Sequence, residues 1–150
     1  MTIKEKLVED MKQAMKDKEA GKLRLSVVRM VRASIKNVEI DRRHELSEDE
    51  TLEVLAREVK MRRDASEEFA KANRPDLVEN LRKELEILMD YLPQQLSEDA
   101  VRSLVQEAVQ VTNAAGPKDM GKVMAALMPK VKGRADGKIV NQFVREALNS

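Results

Sequence analysis

Lys130, Lys132, Arg134 and Lys138 crowd the C-terminal part of the chain, with Asp136 as the one acidic residue among them. Such side chains do not attack or deprotonate a substrate at neutral pH. They bind anions, through charge-assisted hydrogen bonds of the kind made to phosphate. Lys130, Lys132 and Arg134 alternate along the chain, so an extended backbone would carry them on one side. Gly133 keeps that connector pliable. Asp136 is placed to cap a last helix with the apolar stripe Ile139, Val140, Phe143, Val144, Ala147 and Leu148, whose first backbone N–H groups would point back toward the cations. A helix start of this kind favours anions. The helix before the connector carries Val123, Met124, Leu127 and Met128 on one stripe, is expected to end or kink at Pro129, and adds Lys122 to the candidate RNA-binding set.

A secondary basic face comes from Arg24, Arg29, Arg32 and Lys36, on a helix with the stripe Leu23, Val27, Val28, Met30, Val31, Ser34, Ile35 and Val38. These cations read either as an RNA-facing row or as a positive face that balances acidic residues elsewhere. Phe69, Tyr91 and Phe143 are the only aromatics. Because Phe69 and Phe143 fall on apolar stripes, base stacking is not expected, and RNA would be met through backbone and shape. The single histidine, His44, has no HExxH context and is assigned nothing. No GxSxG, GxxxxGK[ST] or GxGxxG occurs, and with no cysteine neither thiolate catalysis nor zinc–sulfur chemistry is available. No catalytic residue, metal or cofactor is therefore expected.

The elements that must position these groups are helices. Charged residues make up 37% of the 150 and aromatics 2%, a helix-favouring balance that predicts an all-α protein. Net charge is +1, but unevenly spread: residues 1 to 40 carry net +4, 41 to 90 net −5, 91 to 117 net −2 and 118 to 138 net +4. No apolar run approaches the roughly 20 residues of a membrane span. The first residues lack an apolar core and include Glu5, Glu9 and Asp10, so a cytoplasmic protein is expected.

Thr2 with Glu5, and Ser47 with Glu50, are capping boxes that open helices. The second begins a long helix with Leu52, Leu55, Val59, Ala65, Phe69 and Ala72, along which Glu53–Arg57 and Glu58–Arg62 read as pairs on an exposed face. Asn73 and Pro75 then turn the chain. Leu77, Leu81, Leu85, Leu88 and Leu92 form a stripe that should pack antiparallel on the preceding helix as an arm. Ser97 caps a helix bearing Val101, Leu104, Val105, Ala108 and Val111. A break near Pro93 predicts an N-terminal helical domain, 1–93, with the long antiparallel arm, and a small C-terminal three-helix domain, 94–150.

Gly121, Val123, Met124, Lys130, Gly133, Asp136, Lys138, Val140 and Leu148 give the C-terminal part a pattern that resembles the GatB/YqeY domain, the tail of the B subunit of glutamine-dependent tRNA amidotransferases. DMKQAMK at 10–16, VVRMVRASIKN at 27–37 and YLPQQLSED at 91–99 extend the resemblance to YqeY-like proteins over nearly the whole chain. The sequence departs from that pattern at Asn73, where glycine is common, and at Leu81, where an acidic residue is common, which weakens any role for the arm. The tail module of the amidotransferase touches tRNA while other domains do the amide chemistry. The resemblance thus implies a non-catalytic RNA-binding accessory protein, with tRNA as ligand. Its alternative is a helical interaction module docking an amidotransferase or ribosome-associated protein. Carbon–nitrogen ligase activity with glutamine as amido-N donor would follow from family association alone, for no residue here carries it. Oligomeric state is left open.

Overall fold

The computed structural model describes residues 1–149, and every regular element among them is a helix, as composition and stripes lead one to expect. The chain divides into two compact units, Met1–Leu92 and Pro93–Ser150.

In the first unit, α1 (Ile3–Lys16) leads through a 3₁₀ turn, Lys18–Gly21, into α2 (Lys22–Arg42), followed by α3 (Glu48–Lys71) and α4 (Pro75–Met89). Both capping boxes close as the sequence requires: the Thr2 and Ser47 hydroxyls accept the Glu5 and Glu50 amides at 3.1 and 3.2 Å. The two glutamates accept the Thr2 and Ser47 amides in return, each at 3.1 Å. Leu7, Val27, Val28, Val31, Ile35, Leu55 and Leu88 form the dry centre of this unit. Gly21 lies against α1 so closely that a Cβ there would sit 2.2 Å from the Ala14 carbonyl oxygen.

Asn73 takes a left-handed conformation (φ 58°). The Arg74 amide then bonds the Phe69 carbonyl at 2.9 Å and the Asn73 amide that of Ala70 at 3.1 Å, the paired closure of a Schellman turn. Pro75 starts α4 at a position where its missing N–H costs nothing. α3 and α4 pair as an arm in which Arg62 Nε lies 3.7 Å from Glu84 Oε1. Those two residues are equidistant from Asn73, as antiparallel helices require.

One pair on the arm departs from expectation. Glu58 and Arg62 are 9% and 6% exposed, not surface decoration. Arg62 Nη1 meets Glu58 Oε2 at 2.7 Å, and the Ser34 hydroxyl of α2 donates to Glu58 Oε1 at 2.7 Å. The charges are buried because α2 and α4 close over this side of α3, supplying Ser34 and Glu84 as compensating groups. Arg62 Nε has no hydrogen-bond partner within range, so the network is incompletely satisfied.

The second unit contains α5 (Glu98–Thr112), a 3₁₀ turn at Pro117–Asp119, α6 (Met120–Val131) and α7 (Gly137–Asn149). Ser97 caps α5 through the Ala100 amide at 3.1 Å, and Asn113 (φ 57°) closes it as Asn73 closes α3. Val101, Val105, Val123, Leu127, Val131, Val140 and Val144 are buried together. Of the two outcomes expected of Pro129, an end or a kink, the first does not occur, since α6 runs two residues beyond it. Val123, Leu127 and Val131 recur every four residues, and burial of Val131 carries the helix past a proline that removes one backbone bond and crowds the carbonyl of the preceding turn.

Three substitutions test this packing. Gly21→Ala should lower stability by about 1–3 kcal/mol in chemical denaturation, since the atoms it would meet are all Ala14 backbone and cannot rotate away. Arg62→Met should cost about 3–5 kcal/mol by stranding Glu58, whereas Glu58→Met with Arg62→Met should recover most of that loss. A double variant no more stable than Arg62→Met would show that the network stabilises the arm outright.

Candidate functional site

The cations expected at the C-terminal site are held by a turn, not by an extended connector. Lys130 belongs to α6, and Lys132 (φ −56°, ψ 121°) and Gly133 (φ 71°) are the central residues of a type II turn closed by the Arg134 amide on the Val131 carbonyl at 2.9 Å. Gly133 is thus the residue whose lack of a Cβ lets the turn form. The turn is also pinned, contrary to the pliability expected of it. The Leu96 amide bonds the Arg134 carbonyl at 2.8 Å, Gln95 Nε2 the Gly133 carbonyl at 2.8 Å, and Arg134 Nε the Gln94 carbonyl at 3.1 Å.

The expected one-sided row of Lys130, Lys132 and Arg134 accordingly does not form. Lys132 and Arg134 are half-buried at the turn, while Lys130 is exposed on α6 with its Nζ 3.0 Å from Glu107 Oε1 of α5. Lys122 donates to the Thr112 carbonyl at 3.2 Å, one end of α6 away from the turn. Lys138 is exposed in the first turn of α7. Asp136 caps that helix as expected, accepting the Lys138 amide at 3.0 Å on its carboxylate and the Val140 amide at 3.0 Å on its carbonyl. One amide foreseen as an anion receptor is therefore already occupied, by a carboxylate. What the turn offers a phosphate is side-chain charge on a rigid base.

The secondary face is split. Arg24 Nη2 pairs with Asp90 at 2.8 Å, and its Nη1 lies 3.4 Å from the Tyr91 hydroxyl, which donates to Asp10 at 2.5 Å. The hydrogen bond to Asp90 holds the Arg24 guanidinium more firmly protonated, and burial first, then the bond to Asp10, pushes the Tyr91 phenol up. This is a clasp joining α1, α2 and the end of α4, closed by Lys6 Nζ at 5.1 Å over the Tyr91 ring. Arg29, Arg32 and Lys36 instead line a groove of about 520 Å³ between α1 and α2, with Lys4 and Glu39 also on its walls. Lys4 meets Glu39 at 2.6 Å, and that bond, followed by the Leu46 amide, holds the Glu39 carboxyl below the usual carboxylate range.

Sequence reasoning misses Lys4, Asp10 and Glu107. Each lies on a helix other than that of its partner, so no spacing along the chain announces the pair. His44 is exposed in the α2–α3 connector, 3.6 Å from Glu50. Among the described residues no cluster of three or more His, Asp or Glu could hold a metal ion, and no helix is long and apolar enough to cross a membrane.

Comparison with known proteins bears on the same regions. The chain is 28% identical over 148 residues to "Altered inheritance of mitochondria protein 41, mitochondrial" of Pyrenophora tritici-repentis, covering 97% of this chain and 80% of that protein. It is 39% identical over 89 residues to the protein of that name from Lachancea thermotolerans, covering 59% of this chain and 46% of the relative. It is also 42% identical over 57 residues to a glutamyl-tRNA(Gln) amidotransferase subunit of Thermococcus gammatolerans, covering 35% of this chain but 9% of that protein. The mitochondrial names of the first two overturn the cytoplasmic expectation. Of the acidic residues on which it leaned, Glu5, Glu9 and Asp10, the structure places Glu5 in the α1 capping box and Asp10 in the Tyr91 clasp. The family model described as "Yqey-like protein" matches residues 4–148, and the chain belongs to the YqeY family.

Proposed function

We propose that this chain is a non-catalytic RNA-binding accessory with tRNA as its ligand, gripped through phosphate contacts by Lys132, Arg134 and Lys138, with Lys130 and Lys122 at the margin. The observation that carries this reading is the pinned turn, which presents cations at a helix junction without requiring its backbone to be ordered on binding. Likeness to an amidotransferase subunit named for glutamyl-tRNA(Gln) supplies the choice of RNA. Such binding would be read from shape and backbone charge, since Phe143 is buried in the core and no aromatic platform accompanies the cations.

Gel-shift titration of tRNA at several salt concentrations tests the proposal. If Lys130, Lys132, Arg134 and Lys138 each neutralise one phosphate, affinity should fall with salt at a log–log slope of about −3, and replacing all four by glutamine should remove most of both affinity and slope. Glu107→Gln, which releases Lys130, should tighten binding roughly twofold at low salt. Absence of tRNA binding by the parent protein, or an unchanged slope in the quadruple variant with its melting curve intact, would overturn the reading.

A further inference from the structure

The outward face of α2 has no role in the proposed tRNA site and, among the described residues, is left exposed. Leu23, Ser26, Met30, Ala33, Asn37 and Ile40 lie along it at successive spacings of three and four residues, with Leu23, Met30, Ala33 and Ile40 among its exposed members. That spacing is the seam along which one helix packs on another. Leu23, Met30 and Ile40 are 41%, 44% and 64% exposed, a large apolar content for an open helix face. Ser26 and Ala33 between them are small enough to let a second backbone approach.

Along one edge of this seam runs a row of a single sign, Lys22, Arg29 and Lys36, every seventh residue and each exposed. On that edge the groove between α1 and α2 opens, floored by Leu7, Val8 and Ile35 and bordered by Arg29, Arg32 and Lys36. The arginine side chains are already positioned: Arg32 Nη1 rests 3.0 Å from Met11 Sδ, and Arg29 Nη2 rests 3.6 Å from Met15 Sδ. Thioethers accept weakly and carry no charge, so neither cation is neutralised by the contact.

We propose that the seam and its cationic edge dock a single helix of a partner protein, amphipathic, about 20 residues long, with carboxylates along the edge that meets Arg29, Arg32 and Lys36. The length follows from the distance between Leu23 and Ile40, about 25 Å at 1.5 Å per residue. Charge complementarity selects an acidic partner. A second copy laid antiparallel on the seam would set the basic row against itself, and an RNA backbone would gain nothing from the apolar residues, with no aromatic on the face to stack a base.

Fluorescence anisotropy with two labelled synthetic helical peptides on the intact protein decides the matter, one leucine-striped with a glutamate edge and the other its lysine-edged twin. The glutamate-edged peptide should bind saturably and the twin should not. Arg29→Glu with Arg32→Glu and Lys36→Glu should weaken the first by roughly tenfold or more and reverse the preference, and Met30→Glu should weaken it with charge along the edge intact. Circular dichroism confirms that the variants, all at exposed positions, keep parental helicity. Failure of the glutamate-edged peptide to bind, or equal binding by parent and variants, overturns the proposal. So does dimerisation of the parent that Met30→Glu abolishes, which gives the face to a second copy. Loss of tRNA binding in the triple charge variant gives it to RNA, and that result is distinguishable from loss through the turn at Lys132 and Gly133.

Discussion

The backbone contact of Gly21 with Ala14 is the constraint on which the first unit depends. With no Cβ at Gly21, the 3₁₀ turn folds flush against α1 and sends α2 back along it. The register this sets is visible in three cross-helix contacts at once: Lys4 with Glu39, Met11 with Arg32 and Met15 with Arg29. Each step toward the start of α1 meets a step toward the end of α2, as in an antiparallel pair. A shift by one residue would turn Leu7 away from Ile35, beside which it lies on the groove floor, and the core would lose its centre. The groove is therefore a product of the same close approach that builds the core.

The second unit solves a different problem, which is how to end a helix in a charged turn without leaving that turn loose. Val131 is buried, so the end of α6 is anchored. Gly133 then reverses the chain, and bonds from the segment Gln94 to Leu96 hold the carbonyls of Gly133 and Arg134. Asp136 starts α7 at once. The cations thus lie between two fixed helix ends, and their freedom is that of side chains alone.

Much of this is legible in the sequence, for reasons that are local. Capping boxes at Thr2 and Ser47, the left-handed Asn73 and the stripes of α5 and α7 each depend on residues within a few positions of one another. What escapes depends on packing. Glu58 and Arg62 four residues apart look the same on an exposed face as beneath a covering helix, and only Ser34 and Glu84 from other elements distinguish the cases. Pro129 signals a helix end by its own chemistry, although Val131 two residues later outweighs it. Alternation of Lys130, Lys132 and Arg134 suggests extension because period two is the strand signature. Yet Gly133, a source of pliability by its own chemistry, permits the tight turn that the tie from Gln95 then fixes.

The ties made by the basic residues sort them into different kinds of contact. Lys130 is paired with Glu107 on the surface, both near half exposed, an interaction worth roughly 0.2–1 kcal/mol at most and easily exchanged for a phosphate. Arg134 is not exchangeable in that way. Its Nε is committed to the Gln94 carbonyl, so the guanidinium's plane is oriented before any ligand arrives, and the remaining N–H groups project from a fixed fork. A polyanion reaching this turn would meet one cation whose direction is set and others whose reach is adjustable. For the proposed ligand, orientation would therefore reside in Arg134 and the carbonyl that holds it, while the lysines would contribute attraction that salt screens.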